Sequence, residues 1–187
     1  MRQTLRVNIP NLISFARLLS VPLAVWLILS DAYLWAFWVF LVACASDAVD
    51  GFIAKRFDSE TVLGGFLDPV ADKALLVSVF VALGHAGFLP TWLVILVVFR
   101  DGLILLGALL YHVLYQRLTM EPLLISKLNT TVQFLLVLGV LGMAGYQLEG
   151  RAVVDLMVYV VAATTFASGT AYVWVWGRRA SALEPGE

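Results

Sequence analysis

Residues 33–57 read YLWAFWVFLVACASDAVDGFIAKRF, and residues 63–83 read LGGFLDPVADKALLVSVFVAL. Each is an apolar run long enough to cross a bilayer, which takes roughly 20 residues at about 1.5 Å apiece. Each also carries two acids, Asp47 and Asp50 in the first and Asp68 and Asp72 in the second. Ionisable groups at membrane depth cost several kcal/mol unless they are paired or wet, so such residues mark a functional site. The two runs therefore point to helices in a membrane and to the place where chemistry is done.

Four more runs of this kind flank them, at about residues 11–29, 91–115, 124–147 and 152–176. The connectors are short and hold breakers: Asp31, the stretch Gly87-Phe88-Leu89-Pro90, Glu121-Pro122 and Glu149-Gly150. Short links join antiparallel neighbours. The expected fold is thus all-α and polytopic, a bundle of six transmembrane helices in a single domain over residues 1–187. Composition agrees, with 61% hydrophobic and 13% charged residues and a mean hydropathy of +0.93. A soluble domain of this size carries far more charge.

The net charge of −1, with no basic stripe, excludes nucleic acid as a partner. A lone Cys44 leaves no disulfide framework and no cysteine metal site. The few residues before the first apolar run are expected to hold neither a transit peptide nor a cleavable signal, which favours a bacterial cytoplasmic membrane. Orientation follows from the Lys/Arg bias. Arg2, Arg6, Lys55, Arg56, Arg117, Lys127, Arg178 and Arg179 fall on one side, and Arg151 alone on the other. Both termini are expected in the cytoplasm.

Asp47 and Asp50 stand three residues apart and Asp68 and Asp72 four apart, so each pair shares a helix face. Counted from the loop near Arg56–Glu60, both pairs lie roughly 10–15 Å into their helices. Four carboxylates at matched depth need a counter-charge. An all-oxygen donor set without His or Cys suits a hard ion such as Mg²⁺ or Mn²⁺. Two such ions would form the arrangement that clamps a diphosphate and its attacking oxygen. The competing readings are a structural role, with the acids paired to Arg17, Lys55 or Lys73, and a cation transporter. A transport path should continue across the bilayer, whereas these acids cluster towards one end.

Further ionisable residues inside spans are Arg17, Arg100 and Asp101. Arg17 lies within reach of a headgroup phosphate, while Arg100 and Asp101 could pair with each other. Gly51, Gly64 and Gly65 lie beside the aspartates. Glycine costs about 1 kcal/mol against alanine in a helix, and its missing side chain lets a ligand or another backbone come close.

In full, the stretch is Asp47-Ala-Val-Asp50-Gly51-Phe-Ile-Ala54-Lys55, eight residues, then Gly64-Gly-Phe-Leu-Asp68-Pro-Val-Ala-Asp72. It resembles the signature of the CDP-alcohol phosphatidyltransferase family, D-x-x-D-G-x-x-A-R-x₈-G-x-x-x-D-x-x-x-D. Seven of the eight defined positions match at identical spacing. The departure is Lys55 where the family usually has Arg, and Arg56 follows it. The resemblance implies that Asp47, Asp50 and Asp68 bind one divalent ion and that Asp47, Asp68 and Asp72 bind a second. It implies Asp72 as general base on the acceptor hydroxyl. It implies that Gly51, Lys55 and Thr61 contact the CDP-lipid headgroup with the turn Pro10-Asn11-Leu12-Ile13. The hydroxyl would attack the β-phosphorus and CMP would leave. A homodimer is implied as well.

Outside the signature, the chain is similar to members of the family whose acceptor is itself a lipid. The likeness lies in Asn8-Ile-Pro-Asn11, Phe99-Arg100-Asp101, Ile125-Ser126-Lys127-Leu-Asn129-Thr130, Thr164-Thr165 and Ala167-Ser168. The expected donor is CDP-diacylglycerol, the acceptor phosphatidylglycerol and the product cardiolipin. The alternative acceptor is glycerol 3-phosphate. Members that take that dianion tend to carry Gly-Lys-x-Lys-Thr where this chain has Ser126-Lys127-Leu128-Asn129-Thr130. One cation, Lys127, and neutral donors suit a monoanionic diester, whereas Arg100 and Arg17, also candidate substrate contacts, could make up the charge that a dianion needs.

Overall fold

The computed structural model describes the backbone of residues 9–57, 62–115 and 124–181, and the side chains of residues 15–46, 73–107, 124–175 and 178. It is all-helical, with no strand among the described residues. The elements are α1 (Ile9–Leu29), α2 (Tyr33–Phe57), α3 (Val62–His85), α4 (Thr91–Tyr115), α5 (Leu124–Tyr146) and α6 (Arg151–Ser181). Each coincides with one predicted segment, give or take a turn.

The largest difference is at the end of α6. The sequence places the end of the sixth span near residue 176, but the helix runs through Ser181. Arg178 lies 5.2 Å above the ring of Trp174, one turn back. That cation–π contact and the favourable place of arginine at a helix C-terminus both support the extra turn.

Three helices end in the same motif. After α1, the amide of Ala32 bonds the carbonyl of Leu27 and that of Asp31 bonds Ile28. After α3, Phe88 bonds Leu83 and Gly87 bonds Gly84; after α5, Leu148 bonds Met143. Such six-to-one closure needs a left-handed residue at the turn. Gly87 meets it without strain at φ 82°, while Asp31 and Gln147 adopt φ 59° and 55° against their side chains' preference. The hydroxyl of Tyr33 donates to Asp31 and steadies the first of these turns.

The chain divides into two compact units, one holding α1–α3 with residues 137–149, the other residues 89–136 with α6. In the first, α1 packs against both α2 and α3. Its core is apolar and includes Ile28, Phe40, Leu75, Leu76, Phe80 and Leu141, each 1% exposed or less. The end of α5 meets the start of α2 closely, for a Cβ on Gly145 would stand 2.7 Å from Cα of Leu34. In the second unit α4 packs against α6, over a core that includes Leu93, Val97 and Val161.

Large apolar side chains are exposed as well as buried: Trp26 in the first unit and Ile95, Phe99, Leu156 and Phe166 in the second are each more than 60% exposed. Leu124–Tyr146 and Arg151–Val175 are long and apolar enough to cross a membrane.

Candidate active site

The four aspartates stand on two helices of the first unit, Asp47 and Asp50 on α2, Asp68 and Asp72 on α3. From the facing ends of these helices, Phe57 and Val62, the acids lie roughly 9–15 Å inward along the axes. Both helices share α1 as a packed neighbour. The side chains of these aspartates lie outside the described residues, as do those of Pro10, Asn11, Leu12, Ile13 and Lys55. Gly51 stands on the same stretch of α2, and Thr61 lies wholly outside the described residues. By sequence the candidate donors are four carboxylates, a set whose chemistry would fit Mg²⁺ or Mn²⁺.

Arg17 is the predicted headgroup residue in the first unit with a described side chain. It is 3% exposed and lines a cavity of about 350 Å³ between α1 and α2, with Ser20, Ala43 and Ser46 among its walls. Ser46 directly precedes Asp47. The arginine therefore faces the turn of α2 on which the signature begins. Ser20 donates to the carbonyl of Arg17 at 2.6 Å, which keeps that hydroxyl within its own helix.

Two further predicted residues fall in the second unit, Arg100 on α4 and Lys127 on α5. Arg100 is 3% exposed and Asp101 2%, and they form the ion pair considered from the sequence, at 2.7 Å. Arg100 also donates to Ser126 of α5 at 2.8 Å and to Ser168 of α6. Its guanidinium carbon stands 6.0 Å from the ring centroid of Tyr172. Lys127, next to Ser126, is exposed.

A second cluster extends this one along α5 and α6. Oδ1 of Asn129 accepts from Thr164 and Thr165, both at 2.9 Å, and Gln133 approaches Thr165 at 3.5 Å. Asn129, Gln133, Thr165 and Ser168 are all fully buried. Ser126, Asn129 and Gln133 are spaced i, i+3, i+7, as are Thr165, Ser168 and Tyr172, so each set forms one helix face. Between apolar helices such hydrogen bonds join the elements. Asn129, read from the sequence as a neutral group in the acceptor pocket, is thus engaged with α6. Gln133 was not singled out from the sequence; the i, i+3, i+7 polar spacing on α5 is the signal that marks it.

Residues 7–170 match the family described as CDP-alcohol phosphatidyltransferase, and the chain belongs to that family. It is 35% identical over 184 residues to a chloroplastic CDP-diacylglycerol–glycerol-3-phosphate 3-phosphatidyltransferase 1 of Oryza sativa subsp. japonica, covering 89% of this chain and 56% of the relative. It is 31% identical over 190 residues to human cardiolipin synthase (CMP-forming), covering 92% and 62%. It is 40% identical over 121 residues to a Streptomyces coelicolor cardiolipin synthase (CMP-forming), covering 59% and 55%. The chain therefore spans somewhat more than half the length of these relatives. Family membership sets aside the cation transporter: the chain belongs to a family of phosphatidyltransferases.

Proposed function

We propose that this chain is a cardiolipin synthase, transferring the phosphatidyl group of CDP-diacylglycerol to phosphatidylglycerol with release of CMP. Asp72 takes the proton of the acceptor hydroxyl, whose oxygen attacks the β-phosphorus of the donor while the bond to the CMP oxygen breaks. Asp47, Asp50 and Asp68, and Asp47, Asp68 and Asp72, would hold two divalent ions, Mg²⁺ or Mn²⁺. When bound, these supply charge neutralisation on the diphosphate. Pro10, Asn11, Leu12, Ile13, Arg17, Gly51, Lys55 and Thr61 hold the CDP-lipid headgroup. Arg100 and Lys127 serve the acceptor.

The observation that carries the choice of acceptor is the single exposed cation at the start of α5. Lys127 is exposed, whereas Asn129, at the place of a second lysine in glycerol 3-phosphate users, is buried against α6. One cation suits a phosphodiester fixed at about −1, while a phosphomonoester near −2 calls for more. The likeness to proteins named cardiolipin synthase supports the same reading. Glycerol 3-phosphate is the second reading, favoured by the likeness to the rice protein named for it. We further propose one membrane domain of six spans with both termini and the active site on the cytoplasmic side of a bacterial inner membrane. A homodimer is proposed too, to be checked by mass in detergent.

The deciding experiment supplies purified protein with CDP-diacylglycerol and each acceptor in turn, and follows the lipid product by mass. Cardiolipin from phosphatidylglycerol is the expected result. Ready conversion of glycerol 3-phosphate with no cardiolipin would establish the second reading instead.

A further inference from the structure

The second unit carries a groove of about 590 Å³ along α4 and α6 that the chemistry above does not use. Its walls include Leu96, Phe99 and Leu103 of α4 and Phe166, Val173 and Trp174 of α6. At Gly169 an added methyl would stand 3.6 Å from Cγ of Arg100, so Arg100 lends the groove its aliphatic stem. The guanidinium head of Arg100 is engaged by Asp101, Ser126 and Ser168. Arg178 closes one end, exposed and stacked over Trp174 at 5.2 Å. No Asp or Glu is among the described lining residues.

We propose that this groove seats an acyl chain of the acceptor phospholipid, with its phosphodiester against Arg178. The inference rests on phosphatidylglycerol as acceptor and on a cytoplasmic end for α6. Three observations lead to it. The lining of α6 runs from Thr165 to Arg178, a rise of roughly 20 Å at about 1.5 Å per residue. Half of a ~30 Å hydrocarbon core is ~15 Å, so the groove spans one leaflet and a little more. Its charged end pairs an arginine with a tryptophan, the residues that settle at headgroup level. The cation there complements an anionic diester, and the apolar remainder complements a chain; a soluble phosphomonoester has no use for such a surface. Assignment to the acceptor, and not to the donor, follows from location. The donor-binding residues proposed above all belong to the first unit, whereas Arg100 and Lys127 share the second with this groove.

The test is photo-crosslinking of the full chain in vesicles, using phosphatidylglycerol with a diazirine in mid-chain. Peptides covering residues 96–103 and 165–174 should be labelled. Gly169→Leu, which fills the groove, should cut labelling and raise the KM for phosphatidylglycerol by about tenfold, with the KM for CDP-diacylglycerol within about twofold. Gly169→Ala, whose methyl meets only ordinary contact, should behave as the parent. Arg178→Gln, at an exposed position, should weaken labelling as well, with its melting curve showing that the fold is kept. Undiminished labelling in Gly169→Leu, or equal labelling of the groove by phosphatidylcholine or a CDP-diacylglycerol analogue, overturns the proposal. The two failures are separable. A parent protein that makes no cardiolipin refutes the acceptor reading, whereas cardiolipin synthesis unaffected by Gly169→Leu refutes the groove alone.

Discussion

Arg100 and Asp101 are adjacent in sequence, yet their side chains close an ion pair at 2.7 Å with both almost wholly buried. Successive residues on a helix point about 100° apart, so neighbours do not ordinarily meet. The contact forms because the long arginine curls back, and Ser126 and Ser168 hold it there from α5 and α6. One arginine thus links all three helices of its unit.

Removing one partner of a buried pair leaves the other's charge in low dielectric and typically costs about 3–5 kcal/mol. Arg100→Met should therefore lower the free energy of unfolding in detergent by that order. The double variant Arg100→Met/Asp101→Leu should recover much of the loss, because an apolar replacement of both charges is often neutral. Turnover should stay low in both, since Arg100 is proposed to serve the acceptor. Recovery of turnover together with stability would reduce Arg100 to a structural residue.

Metal dependence can be tested on the aspartates directly. EDTA should abolish turnover and Mg²⁺ or Mn²⁺ restore it. Asp47→Asn should weaken both metal and donor binding, as it withdraws a ligand shared by two ions. Asp72→Asn should lose most turnover while keeping more donor affinity, measured by CDP-diacylglycerol binding. Full activity in chelator, or equal loss of donor binding in the two variants, would contradict this division.

Two glycines near the end of α5 make opposite predictions. At Gly145 a Cβ would stand 2.7 Å from Cα and 2.8 Å from N of Leu34, and backbone cannot yield cheaply. At Gly142 it would meet the ring of Phe37 at 3.4 Å, an ordinary contact. Gly145→Ala should lower stability by about 1–3 kcal/mol, and Gly142→Ala should gain slightly from helix propensity. A melting curve for each decides the point; equal effects would contradict the close approach of α5 to α2.

Several of the segments were legible because a turn-forming residue stands at the boundary of the apolar run. Gly87 takes a left-handed turn, Pro90 precedes α4, and Gly150 precedes α6. The aspartate spacing located the candidate site on α2 and α3; convergence of those carboxylates is a proposal that spacing alone supports. The polar seam between α5 and α6 was harder to see. Ser126, Asn129 and Gln133 are scattered among leucines, and their partners on α6 are set by packing register, which local sequence does not encode. The stacking of exposed Trp174 with Arg178, which supports the last turn of α6, was likewise beyond what the sequence shows.

The proposed topology rests on the Lys/Arg distribution and can be tested chemically. Cysteines at Ser59 and Glu149, each in a Cys44→Ala background, should react with an impermeant reagent from opposite faces of the membrane. Reaction of the Ser59→Cys variant from the outer face would invert the proposed orientation and move the candidate active site with it.

The last prediction concerns position 129, where the sequence invites a simple swap. Replacing Asn129 by Lys recreates the two-lysine pattern of glycerol 3-phosphate users and should, on sequence grounds, change the acceptor. The structure argues otherwise. Asn129 is fully buried, and its carbonyl oxygen accepts two hydroxyl hydrogen bonds from Thr164 and Thr165. Lysine has no acceptor to offer them, and its ammonium would be buried among apolar helices, where the charged form is disfavoured. Asn129→Lys should therefore destabilise the protein by about 1–3 kcal/mol without conferring turnover of glycerol 3-phosphate. Lys127→Gln, at an exposed position, should leave stability within about 0.5 kcal/mol but raise the KM for phosphatidylglycerol. A stable Asn129→Lys protein that turned over glycerol 3-phosphate would mean that position 129 faces the acceptor in the working enzyme, and that acceptor choice is encoded there.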